Sequence, residues 1–308
     1  MIEIRRILCP IDFSDFSRRA FDHAVAIAGW YDSTITLLHV SAIAPVVVYA
    51  PGSAALPTAV LTHDDRDQLL ASMKRFAEAE ADSHISLEFE ISEGNAATEI
   101  LANAASTTTD LIVMGTHGRS GFERLVLGSV TEKVLRKAAC PVLSVPRHIP
   151  DAVPAPSVLF KRILCAIDFS DCSLHALNYA MSLAQEADAR LTVVHVIEVP
   201  REAPADFHES VFSAPRTLTE YIAEAEEERR ARLTEAVPEA VRAYCTVETM
   251  MAKGKPYREI LRVASEQQSD LIVIGIHGRG AADLLFFGST AQHVVRQASC
   301  PVLTLRAG

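Results

Sequence analysis

Two hydrophobic periods alternate along the chain. Short apolar, partly β-branched runs read as strands buried on both faces: Ile4–Ile11, Thr34–Val40, Leu111–Met114 and Val142–Val145. Between them apolar residues recur at helical spacing. In Asp15–Tyr31 the stripe is Ala20, Ala24, Ile27 and Ala28, with Arg18, Arg19 and Asp22 on the outer face. Helices are also predicted over Asp64–Asp82 and Ala97–Ser106, and Leu87–Ser92 alternates as a more exposed strand. Residues 41–61, rich in Pro, Ala and Val, read as a loop.

The whole pattern occurs twice. Arg6-Ile-Leu-Cys-Pro-Ile-Asp-Phe-Ser14 returns as Arg162-Ile-Leu-Cys-Ala-Ile-Asp-Phe-Ser170 at an offset of 156, and Leu38-His39-Val40 returns as Val194-His195-Val196. From Gly94 and Gly254 onward the offset is 160, so the second copy holds four extra residues between His195 and Gly254, expected in a surface loop. The predicted units are residues 1–146 and 159–308. A proline-rich, semi-rigid linker, 147–158, joins them.

Alternating strands and helices imply an α/β architecture: parallel sheets, helices on both faces, right-handed crossovers. Ligands in such sheets bind beyond the carboxyl ends of the strands. Asp12, Val40 and Gly115 each close a strand there, as do Asp168, Val196 and Gly275 in the second copy.

One stretch at that edge carries chemistry. Gly115–Ser129 reads GTHGRSGFERLVLGS, and Gly275–Ser289 reads GIHGRGAADLLFFGS. Gly115 and Gly118, like Gly275 and Gly278, permit a sharp turn and close approach to backbone amides. Gly128-Ser129 and Gly288-Ser289 open helical stretches, the first over Val130–Ala139, whose N-terminal N–H groups and dipole suit phosphate oxygens. Ser129 is expected to cap its helix. No Walker lysine motif is present, so phosphate charge would be met by backbone N–H groups, by arginines such as Arg119 and Arg279, or by a metal. The first loop, with Arg119, Glu123 and Arg124, is formally +1, and the second, with Arg279 and Asp283, is neutral. The first site should therefore hold a polyphosphate more tightly, unless Lys253 and Lys255 fold over the second.

A net charge of −10 advertises no surface for nucleic acid or anionic membrane, and no apolar run approaches a bilayer's thickness. Asp12 arrives before any signal-peptide apolar core could form, so a cytoplasmic location is expected. The six cysteines form no CxxC pair and read as buried, reduced thiols. Asp12, His39 and His117 could meet at the strand ends as a metal or acid–base cluster, although such histidines more often satisfy backbone groups. Asp12 could equally brace its own turn. The run Glu224–Arg232 reads as a solvated helix face with internal ion pairs.

Asp12, Asp168, the paired G-x2-G-x9-G-S loops and the Cys-Pro-Val-Leu endings resemble the ATP-binding branch of the universal stress protein family, in a tandem two-copy form. The resemblance implies two Rossmann-like five-stranded parallel sheets of order 3-2-1-4-5. It also implies a pseudo-dimer formed through Val142–Val145 and Val302–Leu305. It assigns Asp12 to the adenosine end, the Val40 backbone to adenine and Gly115 to the ribose, with Gly118, Gly128, Ser129 and Val130 on the phosphates. The second set is Asp168, Val196, Gly275, Gly278, Gly288, Ser289 and Thr290. The implied ligand is ATP, with Mg2+ as an optional companion, and the implied role is a cytoplasmic stress-response regulator acting through conformation or assembly. Protein partners are not named by the sequence, and association of two tandem chains stays open. Two rival readings also stay open: a slow ATPase or nucleotidyl transferase, for which no catalytic residue is assigned, and a dimerisation module with remnant pockets.

Overall fold

The computed structural model describes residues 2–42, 61–78, 85–117, 127–146, 160–198, 218–278 and 287–306. Along β1 (Arg6–Ile11) side chains alternate between two cores. Ile7, Cys9 and Ile11 enter one apolar cluster and Leu8 the other. A strand covered on both faces must be apolar at every position, which is why the run reads as continuous instead of alternating. In β6 (Arg162–Ala166), Ile163 and Cys165 face one core, Leu164 and Ala166 the other.

The first copy continues as α1 (Asp15–Tyr31), β2 (Thr34–Ser41), α2 (His63–Ala77), β3 (Ser86–Glu93), α3 (Ala96–Ser106), β4 (Leu111–Gly115), α4 (Ser129–Lys137) and β5 (Val142–Val145). After β6 come α5 (Asp171–Glu186), β7 (Arg190–Ile197), α6 (Leu218–Glu235), α7 (Glu239–Arg242) and β8 (Val247–Lys253). The chain ends with α8 (Pro256–Glu266), β9 (Leu271–Gly275), α9 (Ser289–Gln297) and β10 (Val302–Leu305). In α1 the predicted stripe is buried, together with Phe21 and His23. The linker expected at 147–158 and most of the loop at 41–61 lie outside the described residues, as do 79–84 at the end of the helix expected to reach Asp82.

Each copy builds five parallel strands in the order 3-2-1-4-5, and β5 pairs antiparallel with β10. The two expected sheets are thus one ten-stranded sheet. Leu143 pairs with Leu303, flanked by Ser144 with Val302 and Val142 with Thr304, a register symmetric about the leucine pair. Ser144 Oγ donates to the Val302 carbonyl and Thr304 Oγ1 to the Val142 carbonyl, each at 3.1 Å. Beyond the seam, the Phe160 ring lies 5.8 Å from His23 and 5.7 Å from Trp30. Tyr31 Oη meets Ser182 Oγ at 3.0 Å, and Arg296 pairs with Glu132 at 3.6 Å on the other face.

The loop expected to hold the extra residues of the second copy lies largely outside the described residues. α6 has 18 residues against 15 in α2, and the connection after it winds into α7. Asp110 and Asp270 perform a job not read from the sequence. Asp110 accepts the backbone N–H groups of Arg5 and Arg6 at 2.8 and 2.9 Å. Asp270 accepts those of Lys161 and Arg162 at 2.8 and 3.0 Å, fixing the start of β6. Burial pushes the Asp270 carboxyl up, against the opposing pull of those N–H groups.

Candidate functional site

Each copy turns sharply where its first strand ends. Asp12 Oδ1 accepts the Ser14 N–H at 3.1 Å and the Ser14 hydroxyl at 2.5 Å, and Ser14 in turn caps α1 by accepting from the Ser17 N–H. Asp168, Ser170 and Ser173 repeat this at the head of α5, with Asp168 Oδ1 at 3.1 Å from the Ser170 N–H and 2.6 Å from its hydroxyl. The bracing role suggested for Asp12 is therefore real, and it uses one carboxylate oxygen.

The residue between is left-handed in both copies, Phe13 at φ 62° and Phe169 at φ 63°. A side chain there costs on the order of 1 kcal/mol or more. Ring contacts offset it. Phe13 lies 4.8 Å from His39, and Phe169 lies 4.7 Å from His195 with the Arg232 guanidinium 4.5 Å above it. Nothing in the local pattern marks this turn, because phenylalanine is a poor predictor of a positive φ.

The strand-end histidines brace backbone. His39 Nδ1 meets the Ile11 carbonyl at 2.9 Å and His195 Nδ1 the Ile167 carbonyl at 2.8 Å, tying each second strand to the first where they leave the sheet. His117 Nδ1 lies 3.0 Å from Thr116 Oγ1. Among the described residues no group of three or more His, Cys, Asp or Glu side chains could hold a metal ion.

The glycines are required by space. A Cβ on Gly115 would stand 3.0 Å from Phe16 Cβ, and one on Gly275 would stand 3.0 Å from Cys172 Sγ, so these residues let the first turn of the following helix pack against the strand. Gly128 and Gly288 are N-cap residues with φ −58°, a conformation open to any residue. Their N–H groups donate to Thr116 O at 2.8 Å and Ile276 O at 3.0 Å, which brings loop and helix too close for a side chain at Gly288 and leaves only tight room for one at Gly128. Ser129 does not cap its helix. It is the first helical residue, Gly128 occupies the cap, and among the described residues no side chain caps that helix end. Ser289 stands likewise at the head of α9. The first N–H groups of both helices have no intrahelical acceptor, as at every helix start.

In the second copy these parts enclose a cavity of about 820 Å³. Asp168, Val196, Gly275, Gly278, Gly288, Ser289 and Thr290 all line it. Gly278 is packed on the carboxylate: a Cβ there would stand 2.6 Å from Asp168 Oδ2. Apolar surface comes from Val194, Ile260, Ile274 and Phe287. Glu198 and Arg229 also line the cavity and were not anticipated. Arg229 belongs to the run taken for a solvated face. That reading holds for Arg230 and Glu227, 4.0 Å apart and exposed, but Glu226 pairs with Lys253 and Arg232 rests on Phe169. In the first copy Asp12, Val40, Gly115, Gly128, Ser129 and Val130 occupy the equivalent strand and helix ends. Gly118, Arg119 and Arg279 lie outside the described residues, as do the loop charges Glu123, Arg124 and Asp283.

The profile of the universal stress protein family matches residues 3–146 and again 159–306. The chain belongs to that family. Over 306 residues it is 29% identical to a universal stress protein of Mycolicibacterium smegmatis, covering 97% of this chain and 96% of that one. A universal stress protein of Methanocaldococcus jannaschii is 38% identical over 142 residues, 46% of this chain and 81% of its own length. Among solved structures, a universal stress protein of Archaeoglobus fulgidus superposes over the full length of both chains with a TM-score of 0.65 at 23% identity, a likeness of fold. The chain is thus a tandem universal stress protein. All six of its cysteines are unbridged, and burial raises the Cys140 thiol to about 11 and the Cys300 thiol to about 12. No helix among the described residues is long and apolar enough to cross a membrane.

Proposed function

We propose that this universal stress protein is a regulator that binds an adenine nucleotide, ATP foremost, in each of two units, 1–146 and 159–308, and signals through conformation or assembly. The observation that carries the reading is the second crevice. A carboxylate, Asp168, stands on one wall, and the uncapped start of α9 stands on another. Its volume of about 820 Å³ suits a small-molecule ligand. The carboxylate is an acceptor for ribose hydroxyls, the apolar lining accommodates a base, and the N–H groups of Ser289, Thr290 and Ala291 offer partners for phosphate oxygens. Val196 supplies backbone at the base end, Gly278 leaves the Asp168 carboxylate uncovered, and Gly275 lets α5 pack against the strand end beside them. Asp12, Val40, Gly115, Gly118, Gly128, Ser129 and Val130 take the same parts in the first unit, with Arg119 and Arg279 beside the phosphates. Mg2+ would arrive with the triphosphate. Family membership supports a role in stress response and leaves the partner unnamed.

Native mass spectrometry of protein purified without added nucleotide should show adenine nucleotide carried through purification. Calorimetry should show ATP binding that Asp168→Asn weakens. A chain that takes up no adenine nucleotide at millimolar concentration would overturn the reading. Accumulation of ADP during the titration would favour the slow ATPase instead.

A further inference from the structure

A second depression lies at the opposite ends of the same strands, where β6 and β7 begin. It encloses about 430 Å³ and is lined by Lys161, Arg162, Asp188, Ala189, Arg190, Tyr244 and Thr246. Three of these seven residues are cations, in a chain whose net charge is −10.

The arrangement of the cations points to a ligand. Arg162 and Arg190 are register partners on adjacent parallel strands, so their side chains leave the sheet side by side on one face. Like charges placed directly opposite are unfavourable in a sheet unless something stands between them. The neighbouring groups answer only part of this charge. Lys161 Nζ donates to the carbonyls of Ala187 and Asp188 at 2.7 and 3.3 Å, closing the carboxyl end of α5, and lies 3.9 Å from Asp188 Oδ2. One arm of Arg162 reaches Gln268 Oε1 at 3.4 Å, and the nearby Asp270 carboxylate is engaged by backbone N–H groups. The Arg190 guanidinium has no hydrogen-bond or ion-pair partner among the described residues, and Tyr244 is 47% exposed at the rim. The first copy lacks this fork. There Arg6 pairs in register with Thr34, and Arg5 is matched by Glu3 at 2.6 Å. Two forked donors on neighbouring strands fit the oxygens of a phosphate, which can accept from both at once.

We propose that this depression binds a small phosphorylated anion, its phosphate held between the Arg162 and Arg190 guanidiniums, with the Tyr244 and Thr246 hydroxyls as further donors. The site belongs to the second copy and is independent of the nucleotide crevices.

Pyrophosphate is the probe. It is titrated by calorimetry, at matched ionic strength, into the full chain and into Arg190→Thr, Arg190→Lys and Arg6→Thr variants. The expected result is saturable binding that Arg190→Thr weakens roughly tenfold or more, the loss of one charged hydrogen-bond pair. Arg190→Lys should weaken it less, and Arg6→Thr, at the first-copy position that matches Arg162, should leave it unchanged. In anion-free buffer Arg190→Thr should melt no lower than the parent, because it removes a like-charge pair. The proposal is overturned if pyrophosphate fails to bind, if Arg190→Thr binds it as the parent does, if Arg6→Thr weakens binding as much as Arg190→Thr does, or if Arg190→Thr melts lower without anion.

Discussion

Lys253 Nζ lies 2.5 Å from Glu226 Oε1, joining the last residue of β8 to α6. The first copy makes the same tether with its charges exchanged, Arg66 of α2 to Glu93 at the end of β3, 2.9 Å apart. In each copy the helix that follows the second strand is pinned to the end of the third, whichever partner carries the cation. Lys253 therefore already has an ion-pair partner within the fold. With the Lys253 side chain 57% exposed and Glu226 23% exposed, the pair is worth up to about 1 kcal/mol. Lys253→Glu should lower stability by that order in urea titrations, and adding Glu226→Arg should recover most of it. A double variant no more stable than the single one would remove the tether from the account.

Gly278 tests the crevice itself. An alanine Cβ would press on Asp168 Oδ2 and turn the carboxylate away from its present position. The neighbouring atom is the end of a side chain, so the fold should survive. ATP affinity of the second crevice should fall by about tenfold, the worth of one displaced charged hydrogen bond. Unchanged ATP calorimetry for Gly278→Ala would mean that Asp168 does not touch the ligand.

Gly128 and Gly288 separate space from backbone freedom. Both have φ −58°, so alanine carries no conformational penalty at either. At Gly288 the new methyl would collide with the Ile276 carbonyl, and at Gly128 it would stand 3.0 Å from the Thr116 carbonyl. Gly288→Ala should therefore lose about 1–3 kcal/mol, as overpacking does, and Gly128→Ala less. Thermal melts of the two variants rank them directly, and the reverse order would refute the steric argument.

The repeat made most of the framework legible. An element that appears twice at one offset is hard to mistake, and the β1, β4 and β5 runs with their copies stand where periodicity placed them. What escaped depends on distant approach. Arg229 looks solvated until the crossover carries α6 across the ends of the strands. Ser129 looks like a cap until Gly128, held to Thr116, takes that position. The left-handed Phe13 and Phe169 pack at a tilt against His39 and His195, partners far away in sequence.

His23 is buried against Phe160 of the other copy, with Nδ1 2.7 Å from the Arg19 carbonyl. Burial lowers its pKa from the ordinary 6.5 to about 4. Between those values the unfolded chain binds a proton that the native chain refuses. The contribution is whole above pH 6.5, falls as pH drops through the window, and levels off below about 4. The total loss is roughly 3 kcal/mol. In His23→Leu this part of the pH dependence should vanish, and denaturation midpoints that track the parent's between pH 6.5 and 4 would assign the effect elsewhere.

The seam between the copies is self-complementary. Leu143 faces Leu303, and Ser144 and Thr304, equivalent residues, each donate to the carbonyl two residues earlier in the opposite strand's numbering, Val302 and Val142. A contact with that symmetry can be made by two identical strands. Residues 1–146 alone would bare β5 as an apolar edge, which a second copy can cover in the same register, Leu143 against Leu143. The isolated half should therefore sediment as a dimer, and Leu143→Lys, which sets like charges at the centre of the seam, should return it to a monomer. A parent half that stays monomeric at high micromolar concentration would show that β5 relies on contacts that only β10 and Phe160 provide.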